Sequence, residues 1–400
     1  MRKIFSSYFL IIFFFPLIPM VMGNSQIHIN FITLVCSVLF LVKFRSEIAY
    51  NSFYILAIYF FFMQIFLFGS VWSAISHEEL SSSSILSVLR PTLLFLLYFS
   101  TLEICRRYDF YTTPEFKFLI FISFIYVIFE VFFLQYSQSF ITLFYKREFR
   151  PELFFVGTTF FGTSYYSAYS FYCIYLLSFV SLYNNRRLID KVVLSMAFCL
   201  VFLSLSKTMI FSLLISSYLM LLVYVRVKLI RFFIFFIPLL FTFILFYYQA
   251  EISEMLSDAG VPALSSIKTL LYDSSNSGSV ITRSQQVIDS FELSQSYSAI
   301  FGAGLGQSAS IESLPAVFLY RYGLIGLIFF YIINLVLFIF SVYKLVQGGK
   351  ENFAIYFVLS LWLITLPVTQ LSGVMIEQSK MAFISAIMLG YLFKSNVKRT

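Results

Sequence analysis

The stretch "ESLPAVFLYRYGLIG", residues 312–326, sets a lone carboxylate, Glu312, and an arginine, Arg321, on either side of an apolar run. Five further cations belong with them: Arg90, Arg147, Arg150, Lys207 and Arg283. Guanidinium forks grip phosphate oxygens in pairs, and at a dry site they stabilise charge developing on a phosphate leaving group. A positioned carboxylate removes the proton of an incoming hydroxyl. This set of residue types suits transfer from a phosphate-bearing donor to a hydroxyl, with Glu312 as base and Arg283 on the leaving group. Arg90, Arg147, Arg150, Lys207 and Arg321 would hold the substrate. No Asp-x-Asp metal motif and no nucleotide-binding loop accompanies them, so neither metal nor cofactor is expected. Each residue also has a plainer reading. Glu312 could be an ordinary loop carboxylate, Arg283 a solvated face residue, Arg321 a helix anchor, and Lys207 a side chain snorkelling to an interface. Arg147 and Arg150 could pair with Glu148, Glu152 or lipid head groups.

The elements that carry these residues are set by composition. Hydrophobic residues make up 60% of the 400, charged residues 12%, and Phe alone contributes 54. A water-soluble domain of this size could not be given a charged surface. Apolar runs near twenty residues long predict an all-α polytopic integral membrane protein, and the alternating short segments of a membrane barrel are missing. The runs predict about twelve spans: 4–21, 29–42, 52–72, 85–102, 118–134, 165–182, 192–205, 208–224, 232–248, 323–342, 353–371 and 381–393. They form one membrane domain, 1–400. The first run follows "MRK" but is long for a signal peptide and lacks a small-residue cleavage site.

Basic residues fix the expected orientation. With the N-terminus inside, most of the 27 Lys and Arg fall in cytoplasmic loops, as the positive-inside rule requires. Both termini are then cytoplasmic. The net charge of +8 reflects topology and anionic lipid, not nucleic acid. Cys36, Cys173 and Cys199 sit in spans and Cys105 at the cytoplasmic edge, which leaves the outside loops without disulfides. His28 and His77, with no cysteine nearby, do not suggest a zinc site.

Two outside loops are long, 135–164 and 249–322. The first holds Arg147 and Arg150 where the topology rule disfavours positive charge. The second contains a joint, "DSSNSGS", then "ITRSQQVIDSFELSQSYSAIFGAGLGQ", in which Arg283, Val287, Ser290 and Phe291 share one helical face. "GAGLG" is either a phosphate-cradling turn or a tight turn before the chain re-enters the membrane. Arg90 and Glu130 lie inside spans, where an ionisable group costs roughly 2.5–3.5 kcal/mol on insertion scales. Arg90 reads as functional, facing an anion from the outer side. Glu130 reads as structural, paired with a neighbouring base. Lys207 sits among hydroxyls in "LSLSKT", at a hairpin between two spans.

The chain resembles the O-antigen polymerase and ligase superfamily, nearer to its polymerase (Wzy) branch. The resemblance covers nearly the whole span layout. It is carried by "GTSYYSAYS" at the sixth span, "LSLSKT" at the hairpin, Arg283 before "IFGAGLGQ", and above all "ESLPAVFLYRYGLIG". It implies polymerisation of undecaprenyl-diphosphate-linked repeat units at the periplasmic face of the bacterial inner membrane. It also implies two pathway partners, a flippase and a chain-length regulator. Ligases carry a histidine where Glu312 stands, eleven residues before Gly323. That departure disfavours ligase activity and leaves Glu312 as the base. The other alternative, a flippase, predicts two similar halves of near-uniform helices, and the loop before the tenth span argues against it.

Overall fold

Backbone polar groups in hydrocarbon have only each other to bond, which restricts a spanning chain to helices or closed barrels. The computed structural model describes residues 9–16, 31, 34–35, 37–39, 42, 90–107, 109–133, 144, 156–258, 262–273, 276–303 and 311–394, and all regular elements among them are helical. Thirteen helices are named here: α1 Arg90–Arg107, α2 Pro114–Phe132, α3 Ser164–Asn185, α4 Leu188–Leu203, α5 Lys207–Tyr224, α6 Lys228–Phe235 and α7 Ile237–Tyr247. They continue as α8 Gln249–Asp258, α9 Pro262–Tyr272, α10 Gly278–Tyr297, α11 Leu314–Gln347, α12 Gly349–Thr369 and α13 Ser379–Leu392. Among the described residues, four segments are long and apolar enough to cross a membrane: Lys207–Tyr224, Lys228–Tyr247, Leu314–Gln347 and Asn352–Ser372. The protein is an all-helical membrane protein in that sense. The expected span at 52–72 and most of those at 4–21 and 29–42 lie outside the described residues, as do Arg147 and Arg150.

The chain divides into two compact units. The first comprises Met1–Leu119, Phe144–Lys146 and Arg283–Thr400; the second comprises Ile120–Leu143 and Arg147–Thr282. In the first, α1 and α13 pack tightly and run parallel. Tyr98 donates to Ile376 O at 3.0 Å, and further along both segments the Phe110 amide donates to the Tyr391 hydroxyl at 2.7 Å. Gly390 lets the helices touch, because a Cβ there would meet Cys105 Cβ at 2.5 Å. Beyond this contact Lys394 pairs with Asp109 at 2.6 Å. The helical residues 9–14 run the opposite way: Phe9 packs on Phe110 and Phe383, while Phe13 and Phe15 give their carbonyls to Lys380 Nζ at 3.1 and 2.6 Å. Lys380, expected in an outside loop, is buried and caps this helix end. α11 and α12 are antiparallel, joined by Ser341–Ser360 at 2.9 Å and by Asn334 Nδ2 donating to Leu363 O at 3.2 Å.

In the second unit, α3 is buried along most of its length against α4 and α5. Hydroxyl pairs join α3 to α5, Tyr172–Ser216 at 2.6 Å and Tyr175–Ser217 at 2.7 Å. Such bonds hold apolar helices together where burial from water supplies no force between them. The segment 249–297 is mostly helical, as α8, α9 and α10.

Candidate functional site

One end of the first unit collects polar groups around a broken helix. α11 is interrupted at Gly323, whose φ of 64° and ψ of −169° are not helical. The expected "GLIG" helix start is this break, and the residues before it, 314–322, are helical instead of loop. A break at membrane depth frees backbone groups, which must find other partners. Here residues 299–303 supply them. The Ala303 amide donates to Tyr320 O at 2.6 Å, and the amides of Leu324 and Ile325 donate to Ala299 O and Ile300 O at 3.1 and 3.4 Å. Two glycines make the crossing possible. A Cβ on Gly302 would lie 2.5 Å from Gly323 N, and one on Gly323 would lie 2.2 Å from Ile300 O. The Gly302 amide donates to Ser298 O at 2.6 Å. At Gly302 and Ala303 the "GAGLG" amides are thus used inside the protein, and they do not cradle a phosphate. Gly304 and Gly306 lie outside the described residues.

Arg321 and Tyr322 stand at this break, and both engage Glu377. Arg321 Nη1 donates to Oε2 at 3.0 Å and the Tyr322 hydroxyl to Oε1 at 3.0 Å. Glu377 ends a pair of tight turns, Gln370–Ser372 and Met375–Glu377, that follow Pro367 in the last turn of α12. Gln370 braces these turns by accepting from the Met375 amide at 2.9 Å. Arg321 therefore has an internal partner, which favours its anchoring role. The Glu377 side chain is 3% exposed and that of Arg321 26%. Removing the arginine strands a buried carboxylate, whereas removing the acid leaves a cation that can turn to water. Arg321→Ala is thus expected to cost about 2–4 kcal/mol and Glu377→Ala about half of that. Thermal melts in detergent check this order, and equal effects would contradict it.

Glu312 lies in the short extended segment before α11 and is exposed. Its backbone amide donates to Gln286 Oε1 at 3.3 Å. Gln286 is one helical turn from Arg283 on α10, a spacing that brings side chains within about 5–6 Å at their Cβ atoms. The backbone of Glu312 is thus tied to the helix that carries Arg283. α10 is a helix as expected, and it buries Ser290 on the face shared with Arg283 and Val287. Arg90 is the first residue of α1, beside the start of α13, so its backbone stands at the same end as Lys380 and Glu377.

The second unit has its own polar end. Glu130 is buried and its carboxylate accepts from the amides of Thr158 and Thr159, both at 2.8 Å, and from the Thr158 hydroxyl. Buried and held in this way, Glu130 has the structural role expected of it. The hydroxyl of Thr159, a residue with a φ of 47°, donates to Thr158 O at 2.8 Å and pairs with the Ser167 hydroxyl at 2.9 Å. The Gly157 amide donates to Leu203 O at 2.9 Å and joins this loop to the "LSLSKT" hairpin. There Lys207 Nζ donates to Ser279 Oγ at 3.2 Å. This hydroxyl belongs to α10, and the hairpin's Ser204 gives its own hydroxyl to Val201 O at 2.6 Å. No group of His, Cys, Asp and Glu among the described residues is placed to hold a metal ion.

Glu377 was not singled out in the sequence, where "GVMIEQSKM" reads as a short turn. A signal existed: it is an acid in the short connection between the apolar segments of α12 and α13. No protein-family model matches the chain, and no curated protein matches it.

Proposed function

We propose that this protein polymerises lipid-linked glycan repeat units. The growing glycan leaves undecaprenyl diphosphate and joins the non-reducing-end sugar of a new lipid-linked unit. The observation that supports the reading is the hydrogen bond from the Glu312 backbone amide to Gln286, which ties residue 312 to the helix that carries Arg283. In the proposed step Glu312 takes the proton of the acceptor hydroxyl. The hydroxyl oxygen bonds to the anomeric carbon, and that carbon's bond to the diphosphate oxygen breaks. The electron pair leaves with the diphosphate, where Arg283 meets the charge. Arg90, Arg147, Arg150 and Lys207 complete the substrate contacts, and Arg321 fixes the helix break that the acceptor approaches. About twelve spans, cytoplasmic termini and a periplasmic 249–322 segment in the inner membrane complete this reading. A flippase would deliver the units, and a chain-length regulator would act on the product.

The test is extension of undecaprenyl-diphosphate-linked repeat units by the purified protein. Activity is expected to persist in excess chelator; loss that magnesium restores would contradict the metal-free scheme. Arg283→Lys keeps the charge but loses the fork, so it is expected to slow extension, and Arg283→Ala to slow it further. Normal extension by both variants at equal protein level would make Arg283 a surface residue only.

A further inference from the structure

A second cationic feature lies where α5 meets α6, in the second unit. Arg231 folds back over the end of α5, donating from Nε and Nη2 to Val225 O at 3.2 and 2.7 Å. The Tyr218 hydroxyl donates to Phe235 O at 3.3 Å, so the short helix α6 lies along the end of α5. Between them is an open cavity of about 390 Å³ lined by Leu222, Lys228, Arg231, Phe232 and Phe235. Its wall is apolar and its rim cationic, with Arg226 exposed two residues before Lys228. α6 turns Ile234 inward and leaves Phe232 and Phe235 58% and 65% exposed. α7, which continues the same candidate span, buries no residue. The surface around the cavity therefore faces hydrocarbon.

A free anion would satisfy the cations and leave the aromatic rings uncovered. A zwitterionic lipid would cover the rings and match the cations poorly. We propose that this groove binds an anionic glycerophospholipid, with its phosphate between Lys228 and Arg231 and an acyl chain along Leu222, Phe232 and Phe235. The groove opens to the bilayer, so the lipid that fills it is the abundant one, which favours bulk phospholipid over a polyprenyl phosphate. The inference does not depend on the role of Glu312.

Native mass spectrometry of the full chain tests it, with phosphatidylglycerol and phosphatidylcholine of the same acyl chains. Phosphatidylglycerol is expected to be retained preferentially. Lys228→Gln is expected to lower that retention about fivefold, as one basic residue near an anionic headgroup implies. Lys228→Arg is expected to restore it, and phosphatidylcholine retention to stay unchanged throughout. Lys228 is exposed, so melting temperatures of these variants are expected to match the parent. Equal retention of the two lipids, or no effect of Lys228→Gln, would overturn the proposal. So would displacement of phosphatidylglycerol by inorganic phosphate, or by an equal amount of polyprenyl phosphate.

Discussion

Glu312→Gln is expected to abolish long-chain glycan while leaving the amount of protein in the membrane unchanged. A sugar hydroxyl is a poor nucleophile until its proton is removed, and a positioned base contributes roughly 10²–10⁴-fold. The substitution removes only the ability to take that proton. The tether to Gln286 uses the backbone amide of residue 312, so it survives the change of side chain. Glu312 is exposed and the fold does not depend on burying it. Glu312→His is expected to retain part of the activity, because an imidazole can also take the proton of a hydroxyl. Immunoblots of the protein and ladders of the glycan read both outcomes. A normal ladder from Glu312→Gln would move the base to Glu292, Asp289 or Glu152.

Gly323→Ala is expected to be the most damaging small substitution in the described part of the chain. The backbone there has a φ of 64° and a ψ of −169°, a region essentially closed to residues with a Cβ, at a strain of about 1–3 kcal/mol. The steric term is worse. The new Cβ would meet Ile300 O at 2.2 Å, Ile300 C at 2.4 Å and Gly302 N at 2.7 Å. All three are backbone atoms, so no side chain can swing away. Relief requires expelling residues 299–303 from the break, which uncovers the Tyr320 carbonyl and the amides of Leu324 and Ile325. Gly349→Ala is the matched control: its φ is 63° and a Cβ there meets nothing within 4 Å. It is expected to cost only the local strain, about 1–2 kcal/mol. Folded yield and melting temperature in detergent separate the two. Similar behaviour of both variants would mean that the crossing at Gly323 does not hold the fold.

The sequence carried the periodic features well. Runs of apolar residues gave the helical class and the face shared by Arg283, Val287, Ser290 and Phe291 gave α10, whereas "GLIG", expected to start a helix, breaks one. Local pattern speaks to these because each arises from neighbours in the chain. What it did not carry were contacts between distant residues. Glu312 meets Gln286 across 26 positions, and Arg321 meets Glu377 across 56. Lys380 was assigned to a loop because it precedes an apolar run, but it caps a helix more than 360 residues away. The amides of Thr158 and Thr159 that bind Glu130 leave no signature in charge patterning. The glycines of "GAGLG" fit either a ligand cradle or a tight turn. Gly302 is instead shaped by the backbone that crosses it, and the sequence of one segment cannot show the other.

The central claim is that this chain joins repeat units, and glycan ladders from a strain lacking it test that most directly. The account predicts surface glycan limited to single capped repeats, with long ladders returning on complementation by the wild-type chain. Complete loss of surface glycan would contradict it in favour of a transporter, and long chains left on the lipid carrier would contradict it in favour of a ligase.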